Sequence, residues 1–466
     1  MTIYYFLIMK AYYLPLILLS LFLGDCCNSG KENKDADDNS LTFSTDFESG
    51  SIGTISKLED NLWSLHLKDD NNDASLPDSF RTWFNVKVSG IGADGIRLQF
   101  TRLGFPYYFV PVYSLNGKDW VHFPEDSVKQ INNTTIEVAV PGNHATLWIA
   151  RTFPYTTKDY LEYRNTIVSN PFISIRSLGK SPDKSFPIDL ITIEDKTKHS
   201  AKKHIWIHAR THSAEVGSSY LLEGLINTIL SNTAVGEALR ANYIFKIVPM
   251  HNADGILLGN YRTNASSINL ENQWEFDKTF NTLFLRDLAP IENRFLNRGA
   301  MAPLLIGEKD PVVLALNLHS SNSKPETNAF FFPHFGLGDA YTQEEQKLWN
   351  NQIAFIQSVA EHYDGRIEPP PLEGGKGFLN SYFPETWFWY NRKEKVTAIT
   401  LETTYSKAGF DHWVTPKEWR ELGVAVAKAI HDMGKARLQK IDDKSMFRLE
   451  QSTMTMEELE KLHLDH

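Results

Sequence analysis

Hydrophobic and polar residues alternate in short runs along the first third of the chain, and this pattern predicts β-strands. Turn-forming residues separate the runs, as at Asn116-Gly117. Short strands at this spacing are typical of an antiparallel β-sandwich, which we assign to residues 43–158. The clearest runs are Trp83–Val88, Ile96–Phe100, Thr135–Val140 and Thr146–Ala150.

The pattern changes from about residue 185, where almost continuous apolar runs alternate with helical segments. Such strands indicate a sheet that helices cover on both faces. The predicted fold class is therefore α/β, with a mixed sheet between helices over residues 159–440, preceded by the all-β domain. The predicted strands are 204–209, 243–250, 313–318, 328–332 and 396–402, and the predicted helices are 214–231, 343–362 and 416–435.

Composition narrows the functional classes. The chain has 466 residues, 42% hydrophobic and 22% charged, which is ordinary for a globular protein of two or three domains. The net charge is −10 and no run of lysine and arginine supplies a basic face, so we expect no nucleic-acid partner. The two cysteines, Cys26 and Cys27, are adjacent and cannot link distant parts of the fold.

The N-terminus predicts export. Lys10 precedes a short apolar segment, 11–23, as in a secretory signal, and this segment is too short to span a membrane comfortably. Leu23-Gly24-Asp25-Cys26 resembles a bacterial lipoprotein signal, in which Cys26 would carry a lipid. We expect a signal peptide over 1–27 and a periplasmic or cell-surface protein attached to the membrane through that lipid. A plain cleaved signal and an uncleaved anchor are the alternatives.

Two further segments flank the folded region. Residues 28–42 are polar and acidic and predict a solvated tether. Residues 441–466 are expected to form a charged helical tail, in which Thr455 and Glu458 have the spacing of a capping box.

Three residues could bind a metal ion. His212 and Glu215 are spaced i, i+3, which places both side chains on one face of a helical turn. His319 ends an apolar strand and would complete a His₂Glu set for zinc, with one coordination position left for water. Each residue also has a structural explanation, because an acidic residue suits the first turn of a helix and a buried histidine is usually hydrogen-bonded.

Two charged residues could act on a substrate. Glu402 closes the apolar strand 396–402, and a buried carboxylate is costly unless it has a partner or a task. It is either half of a salt bridge or a general base. Arg262 follows Gly259-Asn260-Tyr261, and taken alone it would be a surface arginine.

Together these motifs resemble the zinc carboxypeptidases, and most closely the cytosolic-carboxypeptidase branch. The resemblance covers residues 43–435. In the β domain it includes Asp46–Gly50, Trp83-Phe84 and Phe153–Thr156. In the α/β domain the order is His212-x-x-Glu215, Asn252-Ala253-Asp254-Gly255, Gly259–Arg262, His319 and Glu402.

The resemblance implies a role for each residue. His212, Glu215 and His319 match the ligands of one Zn²⁺ ion. Glu402 matches the general base and proton shuttle, and Arg262 matches the arginine that polarises the scissile carbonyl. His208 and Arg210, which shortly precede His212, are expected to support the ligands rather than bind the metal.

One part of the motif departs from the family. Where the branch has D-L-N-R-x-W, residues 269–274 read N-L-E-N-Q-W. The family asparagine and arginine that grip the substrate's terminal carboxylate become Glu271 and Asn272, and Trp274 aligns. An asparagine cannot replace a bidentate arginine clamp at equal strength, and Glu271 would suit a cationic or hydroxyl-bearing group. The candidate substrate-binding residues are therefore Asn260, Glu271, Asn272 and Trp274.

Smaller departures are His251 and Ala253, where the family has leucine and proline, and Asn317, where it has an aspartate before the histidine. We expect the change at Asn317 to weaken support of His319.

The sequence thus predicts a zinc metallopeptidase that hydrolyses a peptide or amide bond with zinc-activated water and Glu402 as general base. Its substrate has a free terminal carboxylate if another basic residue replaces the clamp. Otherwise the substrate is an amide or ester without that requirement. The alternative class is a non-catalytic lipoprotein that binds peptide or glycan on the same scaffold. The oligomeric state is left open.

Overall fold

The computed structural model describes residues 41–198, 201–307, 311–322, 324–371, 374–434 and 455–458. The predicted signal segment, Cys26 and most of the tether and tail lie outside the described residues. In the short described piece of the tail, the predicted capping box is confirmed, because Glu458 N donates to Thr455 Oγ1 at 3.1 Å and Thr455 N to Glu458 Oε2 at 2.8 Å. Within the described ranges, no helix combines the length and apolar character that crossing a bilayer requires.

The N-terminal domain consists of ten strands in two five-stranded sheets. The sheet orders are β1-β4-β10-β6-β7 and β2-β3-β5-β9-β8. All pairings are antiparallel except the parallel pair β3 and β5. The strands are β1 (Thr42–Ser44), β2 (Ile55–Glu59), β3 (Leu62–His66), β4 (Asn85–Ile91), β5 (Ile96–Thr101), β6 (Val112–Ser114), β7 (Trp120–His122), β8 (Val128–Asn132), β9 (Thr135–Val140) and β10 (His144–Ala150).

The two sheets share one hydrophobic core. Ile96, Leu98 and Phe100 on β5 are buried, while Arg97 is exposed and Gln99 is half-buried, as the alternating pattern requires. Phe100 stacks on Phe84, just before β4 in the other sheet, with ring centroids 4.1 Å apart. Burying a phenylalanine of this kind contributes about 1.5–3 kcal/mol, so the contact between the sheets is a main source of the domain's stability.

The second domain is built on a seven-stranded mixed sheet of order β11-β12-β14-β13-β17-β19-β18, with a separate β15-β16 hairpin. Its strands are β11 (Ile173–Lys180), β12 (Pro187–Ile193), β13 (Lys203–Ala209), β14 (Tyr243–Val248), β15 (Phe276–Asp277), β16 (Asn281–Leu285), β17 (Val312–Ser321), β18 (Phe330–Phe332) and β19 (Thr397–Thr404). Its helices are α1 (Thr157–Ile167), α2 (Gly217–Leu230), α3 (Ala234–Asn242), α4 (Ala253–Leu258), α5 (Ile291–Leu296), α6 (Ala302–Ile306), α7 (Gln343–His362), α8 (Pro384–Arg392) and α9 (Pro416–Gly434).

The central strands β13, β17 and β19 run parallel and are buried on both faces. Alternation along β13 sends Ile205 and Ile207 into the core formed with α2, α7 and α9, while Trp206 enters the core on the opposite face. His319 on β17 follows Ala315 by four residues, and Glu402 on β19 follows Ala398 by four residues. Because side chains alternate between the faces of a sheet, both polar residues lie on the face that carries these alanines. The sheet therefore presents both polar side chains at its C-terminal edge, on one face.

The predicted fold class is confirmed. Helix α7 has the bounds that the periodicity predicts, and β17 runs beyond the predicted 313–318 to Ser321, so that His319 lies within the strand. The strands β11 and β12 were not predicted, because polar and small residues interrupt their apolar pattern, as in Ile173–Lys180.

Candidate active site

Three side chains that lie far apart in the sequence converge on one point. His212 Nδ1 lies 2.7 Å from Glu215 Oε1, and His319 Nδ1 lies 2.7 Å from Glu215 Oε2. The two imidazole Nδ1 atoms are 3.1 Å apart. Among the described residues, this is the group of histidine and carboxylate donors that could hold a metal ion. The predicted ligand set is thus brought together.

The donor set fits zinc. Two imidazoles and one carboxylate are typical ligands of catalytic zinc, and ligand atoms around a tetrahedral ion with bonds of 2.0–2.1 Å lie about 3.3 Å apart. Each of the three distances above is within about 0.7 Å of that spacing. Three ligands also leave one coordination position for water or substrate.

The turn after β13 places the first two ligands. Arg210 adopts φ 60°, which ends the strand, and its guanidinium donates to the Ser213 carbonyl oxygen. The same side chain donates to the Tyr155 carbonyl oxygen and to Ser219 Oγ, both at 2.9 Å. Arg210 therefore holds the turn that carries His212 and Glu215, as the supporting role predicts.

His208 also has a supporting position. Its Nδ1 accepts a hydrogen bond of 3.2 Å from Trp206 Nε1. Burial lowers the pKa of His208 to about 4, so the ring is neutral at pH 7. It lies outside the group of metal donors, which agrees with the sequence-based expectation.

The outer nitrogen of each ligand histidine has its own partner. His212 Nε2 lies 3.0 Å from Asn269 Oδ1, and His319 Nε2 lies 3.1 Å from Glu271 Oε2. Asn317 Nδ2 donates to the other carboxylate oxygen of Glu271 at 2.7 Å. Such outer partners fix the tautomer and orientation of metal-binding histidines.

This arrangement corrects two expectations. Glu271 was predicted to bind substrate, but its side chain is fully buried against His319 and Asn317. Asn317 was predicted to weaken the support of His319, but it holds the carboxylate that supplies that support. Relative to the family pattern, the acid and the amide have exchanged positions, and one carboxylate remains beside the ligand.

The charges around the two histidines differ. Burial lowers the pKa of His212 to about 4, and the charge of Arg262 acts in the same direction. Burial would also lower the pKa of His319, but the carboxylates of Glu271 and Glu215 outweigh it and raise that pKa well above its usual value. A zinc ion would therefore displace a proton from His319 on binding.

We expect Glu271→Gln to weaken zinc binding by about 10–100-fold, because the glutamine keeps the size of the side chain but removes the charge that orients His319. Competition against a chelator of known affinity measures the effect on the purified protein. Glu275→Gln is the matched control, since Glu275 is paired with Arg286 at 2.8 Å rather than with a ligand. Equal zinc affinity of Glu271→Gln and the native protein would contradict the assignment.

Glu402 lies beside the metal donors. It is the register partner of His319 on the neighbouring parallel strand, and strands are about 4.8 Å apart. Burial raises the pKa of Glu402 well above its usual value, and the charge of Glu215 adds to the rise. A bound dication would oppose both effects and favour the carboxylate that a general base requires.

Arg262 completes the group. Its Nη1 lies 3.9 Å from Glu215 Oε1, and its guanidinium carbon lies 5.2 Å from the centre of the Phe80 ring, which belongs to the β domain. Arg262, Glu402 and the three metal donors are each at most 2% exposed. In such a site, charges interact more strongly than they do in water.

The other predicted substrate-binding residues differ in their surroundings. Asn260 Nδ2 donates to Asn71 Oδ1 at 2.9 Å, so its side chain is bound to the β domain. Asn272 is exposed and accepts a hydrogen bond from Gln273 Nε2. Trp274 is fully buried in the core beneath the sheet. The expectations for Asn260 and Trp274 are wrong, because both side chains are buried in contacts within the protein. The expectation for Asn272, whose side chain is exposed, stays a prediction.

Two residues near the site were missed by sequence reasoning. Asn269, the partner of His212, stands at the first position of the altered motif, where its polarity was the available signal. Asp70, which binds the segment that carries Arg262, lies in the run Asp69–Asp73 of the β domain. Nothing in that run singles out one residue, because its partners follow about 190 residues later.

Comparison with known protein families supports this geometry. Residues 160–324, which include the three metal donors and Arg262, match the model described as zinc carboxypeptidase. Over these residues the chain is similar to the zinc carboxypeptidase family. Residues 43–152 match the model described as the cytosolic carboxypeptidase N-terminal domain. Glu402 lies beyond the first match, so its assignment rests on the structure.

Individual carboxypeptidases are similar to this chain in sequence or in fold. The chain is 27% identical to mouse cytosolic carboxypeptidase 3 over 344 residues, which is 68% of the chain but 32% of that protein. Among solved structures, it resembles a metallo-carboxypeptidase from Burkholderia cenocepacia (TM-score 0.68, 20% identity, 85% of this chain and 100% of the other). It also resembles a metallo-carboxypeptidase from Pseudomonas aeruginosa, solved with (2-guanidinoethylmercapto)succinic acid (TM-score 0.67, 18% identity, 85% and 100%). These two metallo-carboxypeptidases share its fold.

Proposed function

We propose that this zinc carboxypeptidase relative is a zinc-dependent hydrolase that cleaves a peptide or amide bond. The observation that carries the proposal is the convergence of His212, Glu215 and His319, with Glu402 and Arg262 beside them. A scaffold used only to bind peptide would not need a buried carboxylate and a buried guanidinium next to an open metal position. One zinc ion is the expected cofactor.

The chain's own residues supply the remaining chemistry. Bound zinc would act as a Lewis acid on the scissile carbonyl and would lower the pKa of water. Glu402 takes a proton from the attacking water and returns it to the nitrogen of the leaving amine. Arg262 holds its fixed positive charge against the carbonyl oxygen as negative charge develops there. The C–N bond breaks, and the products are a carboxylic acid and an amine.

The substrate is defined by what replaces the family clamp. Asn272 stands at the position of the carboxylate-binding arginine, and its side chain is exposed. Glu271, the neighbouring position, is bound to His319. We therefore propose that the enzyme does not require a free terminal carboxylate and accepts amidated, modified or cell-wall-type peptides, or esters.

A pair of peptides tests this substrate class. We expect kcat/KM for a peptide with a free C-terminus and for the same peptide amidated to agree within about tenfold, because the charge-assisted bonds that discriminate them, worth about 1.5–3 kcal/mol each, are missing. The variant Asn272→Arg should shift the ratio toward the free acid. A preference for the free acid above about 100-fold in the native enzyme would overturn the proposal.

Zinc content and activity together distinguish the enzyme from the alternative, a non-catalytic binding protein. Purified protein that contains no zinc, takes up none and cleaves no member of a broad peptide library would be a binding protein rather than an enzyme. Stoichiometric zinc, with activity lost on chelation and restored by added zinc, is the result that we expect.

Export remains part of the proposal. Its support is the apolar segment 11–23 that follows Lys10, together with Cys26 shortly after that segment. Membrane fractionation of the full chain and of a Cys26→Ala variant tests the lipid attachment.

A further inference from the structure

The β domain sends one carboxylate into the catalytic domain. Asp70 begins the 3-10 turn Asp70–Asn72 and is buried. Its Oδ1 accepts from Tyr261 N at 2.6 Å. Its Oδ2 accepts from Arg262 N at 2.9 Å, and from Thr263 N and Oγ1 at 2.8 and 3.0 Å. Three consecutive backbone amides around the catalytic arginine are thus held by a single side chain.

The neighbours of Asp70 hold the same segment. Asn71 N donates to Asn260 Oδ1 at 3.1 Å, and Asn71 Nδ2 donates to the Asn264 carbonyl oxygen at 2.8 Å. Lys68 Nζ donates to the Leu258 carbonyl oxygen at 3.1 Å. Asn71 has φ 52°, a left-handed conformation that asparagine tolerates better than most residues. The segment 258–264 is therefore bound along its length by Lys68, Asp70 and Asn71.

The contact requires a carboxylate. All four groups that reach Asp70 are donors, so only an acceptor with two oxygens can satisfy them. Burial raises the pKa of Asp70, while the hydrogen bonds from Thr263, Tyr261 and Arg262 oppose the rise. The geometry favours the charged form, because a proton on either oxygen of Asp70 would point toward a group that already donates a hydrogen bond to that oxygen. A buried anion is tolerated when it is bonded in this way.

We propose that Asp70 is a positioning residue for Arg262, and that through it the β domain forms part of the catalytic apparatus. Phe80, also from the β domain, covers the guanidinium of the same arginine. The proposal rests on the role given to Arg262 in the proposed function. A displacement of about 1 Å in a group that contacts the reacting carbonyl can lower the rate about 100-fold. Loss of the hydrogen bonds to Asp70 should therefore slow the chemical step.

The variant Asp70→Asn tests the proposal in the full chain. We expect kcat to fall about 10–100-fold, with KM changed far less and zinc content equal to that of the native protein. The control is Asp69→Asn, an adjacent buried carboxylate that pairs with Arg81 at 2.7 Å and with Arg102 at 3.2 Å inside the β domain. It should leave kcat close to the native value. A native kcat for Asp70→Asn would overturn the proposal, as would an equal loss in both variants.

A double-mutant cycle separates positioning from general stability. In an Arg262→Ala background, adding Asp70→Asn should lower kcat by less than about twofold, because the two residues act through one contact. The same fold-loss in both backgrounds would show that Asp70 acts elsewhere. A fully active Arg262→Ala would contradict the proposed function itself. A defective Arg262→Ala beside a native Asp70→Asn would remove only the present inference.

Thr263→Val gives a second test if Asp70→Asn does not fold. It removes one hydroxyl donor and keeps the backbone bond. We expect a smaller loss of kcat, about 3–10-fold, which corresponds to one hydrogen bond of about 1 kcal/mol. A folded Thr263→Val enzyme with native kcat and native KM would contradict the positioning role of Asp70.

Discussion

Glu402→Gln is expected to lower kcat by about 10²–10⁴-fold, the range that a positioned general base contributes. Glutamine fills the same space on β19 but cannot accept a proton from the attacking water or return it to the leaving amine. Zinc content should be unchanged, because Glu402 is not among the metal donors. Steady-state kinetics on one peptide, with metal analysis of the same sample, measures both quantities.

A matched control is Glu418→Gln. Glu418 is also buried, but it accepts from Thr415 N at 2.8 Å and caps helix α9, a task that glutamine can perform. Its kcat should stay within about twofold of the native value, as is usual for substitutions that keep a cap. If Glu402→Gln were as active as this control, another group would have to be the base, and the assignment would fall.

His319→Ala should abolish stoichiometric zinc binding and, with it, turnover. The affinity should fall by more than the 10–100-fold expected when only an outer partner of a ligand is removed. The variant also takes away the imidazole that pairs with Glu271, and breaking such a buried pair costs about 3–5 kcal/mol. Chelator competition measures the affinity, and thermal unfolding of the metal-free protein measures the stability.

His362→Ala is the control for this experiment. His362 ends helix α7 and pairs with Asp432 on α9 at 2.8 Å, so it shares no contact with the metal donors. Zinc affinity and kcat should both match the native protein. Native zinc affinity in His319→Ala would rule out the three-ligand site.

The exchange of acid and amide beside His319 has a consequence for reading this family. The chain departs from the family pattern at Glu271 and at Asn317, and each change taken alone suggests a damaged site. In the structure, Asn317 donates to Glu271, and Glu271 contacts His319, so the two changes compensate. The charge near the zinc ligand is kept, while the carboxylate comes from a different element.

The sequence by itself was enough to predict the fold class and the three metal donors that the structure brings together, and to select Glu402 as the candidate general base. Alternating and continuous apolar runs mark strands because burial follows the period of the backbone, and this holds whatever the partner strands are. His212 and Glu215 are three residues apart, so one turn of the chain was enough to pair them. In the structure this turn, in which Glu215 N donates to the His212 carbonyl oxygen at 3.3 Å, precedes helix α2, which begins at Gly217 rather than at the predicted 214. His319 and Glu402 follow apolar runs in the sequence, where a polar side chain is unusual enough to be noticed.

Only the tertiary structure decided the roles of the residues around that group. Glu271, Asn272 and Trp274 are consecutive or nearly so, yet one supports a ligand, one is exposed and one is core, because the 3-10 turn Leu270–Asn272 and the residues that follow it direct their side chains differently. Asp70 and Arg262 are joined by contacts between two domains. Hydrogen bonds between distant segments leave no periodic trace in the chain, since each partner is an ordinary polar residue until folding brings the two together.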